Sequence, residues 1–197
     1  MFNGLIKNTG RINKIYKRDD GSILQIYSKM KFSKNEIGTS ISCSGACLTL
    51  EKCNKNLAKF YLSKETLNTT IFKSIKKNDI INLEKSLKFK ESISGHFVQG
   101  HVDTTSDVKK IKYIGRSLLI NFKLLKKYRK YIVQKGSITI NGVSLTIAKI
   151  LKDGFQISIV PHTLRFTNLI YLKEKDIVNI EFDVLGKYIK NFIKWII

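Results

Sequence analysis

The chain has 197 residues, 43% apolar and 10% aromatic, which is enough for one large core or two small ones and too hydrophobic for global disorder. One proline and 12 glycines exclude collagen-like and proline-rich scaffolds, and no apolar run reaches the roughly 20 residues of a membrane-spanning helix. The net charge of +21 points first to nucleic acid, but 31 of the 36 basic residues are lysines, whereas phosphate and base readout favours arginine.

The 29 isoleucines and 14 asparagines, set against 3 alanines, match a drift toward A/T-rich codons that would also supply the lysines. No nucleic-acid partner is therefore expected.

In chain order, the start MFNGLIKNTGRINK holds only a short apolar patch, so a secretory signal is not expected. Cys43, Cys47 and Cys53 follow as C-x3-C-x5-C, a spacing unlike a zinc ribbon. An odd number of thiols points to a reducing, cytoplasmic setting. Ser63–Thr69 reads as a short helix and Lys90–Ser94 as a boundary. His96 and His101 are five apart, which is not the HExxH metal spacing, so no metal is expected. LLKKYRKYIVQKG reads as a second helical stretch. SITINGVSLTI alternates polar and apolar residues across an Asn-Gly turn signal, and FQISIV and IVNIEFD alternate likewise. In the tail, Leu185, Tyr188, Ile189, Phe192, Ile193 and Ile196 form the 3-4 stripe of an amphipathic helix. That stripe fits either docking on the chain's own barrel or self-association; its apolar character favours the latter.

The chain repeats itself. SGACLTL (Ser44–Leu50) matches NGVSLTI (Asn141–Ile147) at an offset of 97. The same offset matches Thr66, Leu67 and Thr70 with Thr163, Leu164 and Thr167, and INLE (Ile81–Glu84) with VNIE (Val178–Glu181). Near the start the offset is 96, matching Gly4 with Gly100, so one single-residue indel separates the two registers. The expected fold is all-β: two tandem homologous small Greek-key-type β-barrels, residues 1–93 and 94–184, plus a C-terminal α-helix, 185–197.

MFNGLI, SGACLTL, SGHFVQGHVD, KGSITINGVSLTI and VPHTL, in this order along the whole chain, resemble the riboflavin synthase family of tandem lumazine-binding barrels. The resemblance implies dismutation of two 6,7-dimethyl-8-ribityllumazine molecules: a four-carbon unit passes between them, giving riboflavin and 5-amino-6-ribitylamino-uracil. It implies no cofactor and no metal. It also implies a cytoplasmic homotrimer held by C-terminal helices, with each active site between the first barrel of one subunit and the second barrel of a neighbour. Two similar pockets make physical sense for two identical substrates, because proximity then replaces a cofactor. The alternative within the same resemblance is a non-catalytic lumazine- or flavin-binding protein.

By resemblance, the first repeat binds ligand through Phe2, Gly4, Leu5, Ile6, Ser40, Cys47, Leu48, Thr49, Tyr61, Leu62, Ser63, Lys64, Glu65 and Thr66. The second uses Gly100, His101, Val102, Lys135, Ser144, Leu145, Thr146, Ser158, Ile159, Val160, Pro161, His162 and Thr163. Pocket positions that differ between the copies are the candidates for chemistry: Cys47 against Ser144, Leu5 against His101, Gly38 against Lys135, and Ser86 against Asp183. These differences put the titratable groups in the second barrel. The chemistry requires loss of a proton from the C7 methyl of one lumazine, and the His101 imidazole is a candidate to move it. Lys135 fits a role in anion stabilisation or binding, and Asp183 in orienting a polar partner or as a strand-end turn residue. Cys47 is either a nucleophile or a small wall residue, and its match with Ser144 favours the wall. The first repeat reads ETLNTTIF and lacks the arginine that the second keeps as Arg165.

Overall fold

The computed structural model describes residues 1–196, with side chains through Ile193. Strands β1 (Asn8–Arg18), β2 (Gly21–Ser28), β3 (Ser40–Cys43), β4 (Ala46–Asn54), β5 (Leu57–Leu62) and β6 (Ile80–Lys85) close into one barrel in the order β1-β2-β5-β4-β3-β6. Strands β7 (Thr104–Ile114), β8 (Ser117–Lys123), β9 (Ser137–Ile140), β10 (Val143–Leu151), β11 (Gly154–Ile159) and β12 (Ile177–Phe182) close into a second barrel with the same neighbours. In each, three hairpin-linked strands are followed by a fourth that returns beside the first of them, which is a Greek key. All pairs are antiparallel, and the bulges at Ile12/Lys14 and Leu50/Lys52 recur at Val108/Lys110 and Ile147/Lys149.

Alternation explains the strands. Leu57–Leu62 buries every second residue, as does Ser117–Phe122, so one face fills the barrel and the other meets solvent. The first core gathers Ile12, Leu24, Ile26, Leu50 and Phe60; the second gathers Val108, Ile120, Phe122, Ile147 and Phe155. Asn141-Gly142 turns the β9–β10 hairpin with φ of +46° and +80°, and Ser44-Gly45 does the same for β3–β4, the backbone of a type I′ turn. The two turns touch: a Cβ on Gly45 would stand 2.8 Å from Gly142 N. The single-residue indel falls in the crossover loops between β2 and β3 and between β8 and β9.

Helix α1 (Lys64–Thr69) starts where expected, with Ser63 accepting from Thr66 N–H as N-cap. Its counterpart is α2 (Pro161–Phe166). The second expected helical stretch is a shorter 3-10 turn, Lys126–Tyr131. Its Tyr128 and Tyr131 rings lie against Phe182, which fixes a tight turn rather than a free α-helix. Helix α3 (Val184–Ile196) leaves the second barrel with Leu185, Tyr188, Ile189 and Phe192 all about 60% exposed. Its own barrel therefore does not cover the stripe; Ile196 of that stripe lies outside the described side chains. Among the described residues no helix is long and apolar enough to cross a membrane.

Packing does not follow the repeat boundary. Ile6, ahead of the first barrel, sits in the core of the second, and Val102, ahead of the second, packs against the core of the first. The two leading segments, arms hereafter, run antiparallel between the barrels. Phe2 and Val98 exchange both backbone hydrogen bonds there, at 2.7 and 3.2 Å. A buried asparagine clasp seals the same seam. Asn82 Nδ2 donates to Asn141 O and Asn168 Oδ1, while Asn179 Nδ2 donates to Ser44 O and its Oδ1 accepts from Ile71 N–H. Both asparagines are at most 1% exposed, and every buried polar group among these has its partner, as stability requires.

Candidate active site

The arms decide which residues meet. Gly4 O accepts from Ser144 N–H at 2.9 Å, and Gly100 O accepts from Cys47 N–H at 2.8 Å. The segment Gly4–Ile6 thus lies along β10 of the second barrel and Gly100–Val102 along β4 of the first. Each glycine needs its left-handed φ, +71° and +80°, and a Cβ would strike Ser144 at 2.6 Å or Cys47 at 2.7 Å.

Beside each arm the sheet opens. Strands β10 and β11 pair from Leu151↔Gly154 to Ile147↔Ile157 and no further, so Ser144–Thr146 and Ser158–Val160 lie beyond the paired ladder. In the first barrel β4 and β5 pair only up to Leu50↔Phe60, which leaves Cys47–Thr49 and Tyr61–Leu62 in the same situation. Each of these strand ends stays paired along its other edge, and the edge that parts presents backbone donors and acceptors to a ligand. The expected ligand residues therefore form two patches. One holds Gly4, Leu5, Ile6, Lys135, Ser144–Thr146 and Ser158–Thr163; the other holds Ser40, Cys47–Thr49, Tyr61–Thr66 and Gly100–Val102.

Several expected roles need correction. Phe2 is 0% exposed and pairs with Val98 in the seam, so it is a wedge between barrels and not a ligand contact. Ile6, Leu48, Leu62 and Ile159 turn their side chains into the two cores, which leaves only their backbone for a ligand. Tyr61 donates its phenol to Asp20 Oδ1 at 2.5 Å, and that bond raises its pKa. His101 is not grouped with Ser144 and Lys135: its arm crosses to the first barrel, beside Cys47, and its ring is exposed. The repeat assigns it to the second copy, while packing assigns it to the first. Asp183 Oδ1 accepts from Leu185 N–H at 3.0 Å, so it caps α3, the turn-type alternative. Lys135 holds φ +67° where the first repeat has Gly38 at +89°. A side chain is thus kept at a left-handed position that costs on the order of 1 kcal/mol, with its N–H donating to Ile147 O beside Thr146.

The residue sequence reasoning missed is His96. Its Nδ1 lies 2.7 Å from Ser144 Oγ and its Nε2 lies 3.1 Å from Thr139 Oγ1. Burial lowers its pKa below the ordinary 6.5, and the Asp183 carboxylate opposes that shift. The ring is therefore neutral at neutral pH. With the proton on Nε2 and donated to Thr139, Nδ1 accepts from Ser144. The signal was present in SGHFVQGHVD, where His96 was weighed only as a metal ligand. Among the described residues no three His, Cys, Asp or Glu side chains gather as metal ligands.

Cross-strand register sets two matching rows. Glu181 pairs with Thr139, and Thr139 with Ser144; Glu84 pairs with Ser42, and Ser42 with Cys47. Only the second row has a histidine beside its hydroxyls. In the first, Ser42 Oγ is buried without a partner, and burial raises the pKa of the nearby Cys43 thiol, with Cys47 adding to the shift. A cleft of about 850 Å³ lies elsewhere, on the seam between Ile71–Ile80 and Asn168–Ile177. It contains none of the expected ligand residues.

The lumazine binding domain family matches residues 3–86 and 99–183. The riboflavin synthase of Actinobacillus pleuropneumoniae is 35% identical over 193 residues, 98% of this chain and 90% of that protein. That of Bacillus subtilis is 35% identical over 196 residues, covering 98% and 90%. Among solved structures, LumP complexed with riboflavin superposes with a TM-score of 0.81 at 28% identity over 92% of this chain and 99% of that one. LumP complexed with 6,7-dimethyl-8-(1'-D-ribityl) lumazine gives 0.79 at 27%, with the same coverage. Two lumazine binding domains and full-length relatives at this identity make the chain a member of the riboflavin synthase family.

Proposed function

We propose that the protein is a transferase that converts two molecules of 6,7-dimethyl-8-ribityllumazine into riboflavin and 5-amino-6-ribitylamino-uracil. The observation that carries this reading is the Ser144–His96 hydrogen bond, set on one of two otherwise equivalent lumazine-binding frames. A binder needs two pockets or one; it does not need a neutral imidazole aligned on a serine in only one of them. His96 draws the Ser144 hydroxyl proton, and Ser144 in turn takes a proton from the C7 methyl of the lumazine on the second barrel. The exomethylene anion then attacks the lumazine on a first barrel, where Cys47 and His101 flank the acceptor. Lys135 serves the anionic partner, and Asp183 supports His96 through its charge.

The functional parts are residues 1–93, 94–184 and 185–197, with the arms exchanged between the first two. The exposed stripe of α3 supports a homotrimer, in which a donor on one subunit faces an acceptor on the next. Three free cysteines support a cytoplasmic location. The carbon skeleton is redistributed between two identical molecules, so the proposal calls for no cofactor or metal.

The test is to mix the purified protein with the lumazine alone, in the presence of a metal chelator. Riboflavin absorbance should grow, with the pyrimidine product in equal amount. The LumP structures favour a second reading, a binding protein; binding without turnover would establish it.

A further inference from the structure

We infer that Glu84 and Glu181 are positioning residues, each holding the arm of its own repeat against the opposite barrel and so completing the lumazine site there. The inference rests on the lumazine-binding reading above. Glu84 Oε1 accepts from Asn3 N–H at 2.8 Å and Oε2 from Gly4 N–H at 3.0 Å, with Leu5 N–H also directed at the carboxylate. Glu181 Oε1 accepts from Gln99 N–H at 2.7 Å, and Oε2 from Gly100 and His101 N–H at 2.9 and 3.1 Å. Three successive backbone donors thus converge on one acidic side chain in each repeat. On their other side the same arms reach Ser144 and Cys47. Each arm is fixed at two points, a carboxylate on its own barrel and a ligand-site strand on the other.

The chemistry of the clamp demands an acceptor-only group. A glutamine supplies one oxygen and turns an NH2 against the remaining N–H groups. An apolar replacement leaves buried donors unpaired. Glu84 and Glu181 recur in the matched blocks INLE and VNIE, the places from which each can reach its arm. Leu5 and His101, one of the pairs that differ between the ligand patches, follow directly on the clamped glycines. The carboxylate therefore sets the path of the arm on which these two residues stand, without touching the ligand itself.

The arrangement predicts a crossed effect. Glu84→Gln, on the first barrel, should weaken riboflavin at Ser144–Thr146 by about tenfold and leave Cys47–Thr49 within about twofold. Glu181→Gln should do the reverse. The measurement is a riboflavin titration followed by amide NMR at both patches, with turnover of the lumazine recorded alongside. KM should rise more than kcat falls. Each variant weakening the patch on its own barrel, or both patches equally, would overturn the clamp. Should a variant fail to fold, the parent protein decides: carboxyl-labelled glutamate is titrated by NMR. The neighbouring charges are the chain's amino terminus at Glu84, and Lys187 and Asp103 at Glu181. Arm amides that move with the carboxyl, together with weaker riboflavin at the opposite patch, support the inference; arm amides that stay fixed overturn it. A parent protein that neither binds nor forms riboflavin overturns the lumazine reading, and the clamp with it.

Discussion

Cys47 and Ser144 stand at equivalent positions, yet only Ser144 has an imidazole hydrogen-bonded to its side chain. If that imidazole moves the proton, His96→Gln should lower the single-turnover rate by about 10²–10⁴-fold. Cys47→Ser, which restores the residue of the other repeat, should stay within about tenfold. The opposite ranking would make the thiol the nucleophile. The pH profile carries the same information. Burial lowers the His96 pKa, so the base is available at neutral pH and is lost only as pH falls through a value below 6.5. The acid limb of kcat/KM should lie there, and His96→Gln should remove it. Cys47, Ser144 and Lys135 were legible in the sequence because they break the repeat. His96 was not, because it precedes the repeated block and has no counterpart to be compared with.

At the scale of elements, the barrels hold each other through buried polar groups as well as through the apolar residues of the exchanged arms. Asn82→Ala would remove the partners of Asn141 O and Asn168 N–H and the closer of two donors to Asn168 Oδ1, all in residues at most 7% exposed. The expected loss is about 3 kcal/mol. By the usual scaling for a chain of this size that lowers Tm by roughly 6–12 °C, readable by calorimetry. An unchanged Tm would mean that the clasp contributes nothing net. Strands, bulge-bearing hairpins and the Asn-Gly turn were legible because period-two burial and left-handed turn residues act locally. The exchange of arms was not. MFNGLI announces an extended apolar segment, but nothing local says which barrel it will cover, and this is why His101 was grouped with the wrong partner. The helical stretch at Lys126–Tyr131 was legible, but its 3-10 form, packed against Phe182 some fifty residues away, was not.

For the molecule as a whole, α3 leaves its apolar stripe uncovered among the described residues. Its base is tied down, with Asp183 as cap and Lys187 bridging Asp103 at 2.7 Å, and its apolar stripe faces outward. Deleting Gly186–Ile197 should convert a trimer into monomers and abolish most turnover, because donor and acceptor would then sit on separate molecules; light scattering reads the mass. A truncated protein that stays trimeric would refute this role. The exchanged arms also give the two halves opposite histories during synthesis. The arm at 98–102 leaves the ribosome after every strand of the first barrel has been made, so its docking strand is already waiting. The arm at 2–6 emerges ahead of its own barrel, and its partner Ser144 follows about 140 residues later. At roughly 5–20 residues per second, that is a delay on the order of ten seconds. Through that delay Ile6 lacks the second-barrel core that covers it, and an early segment of the nascent chain is among the last to find its place.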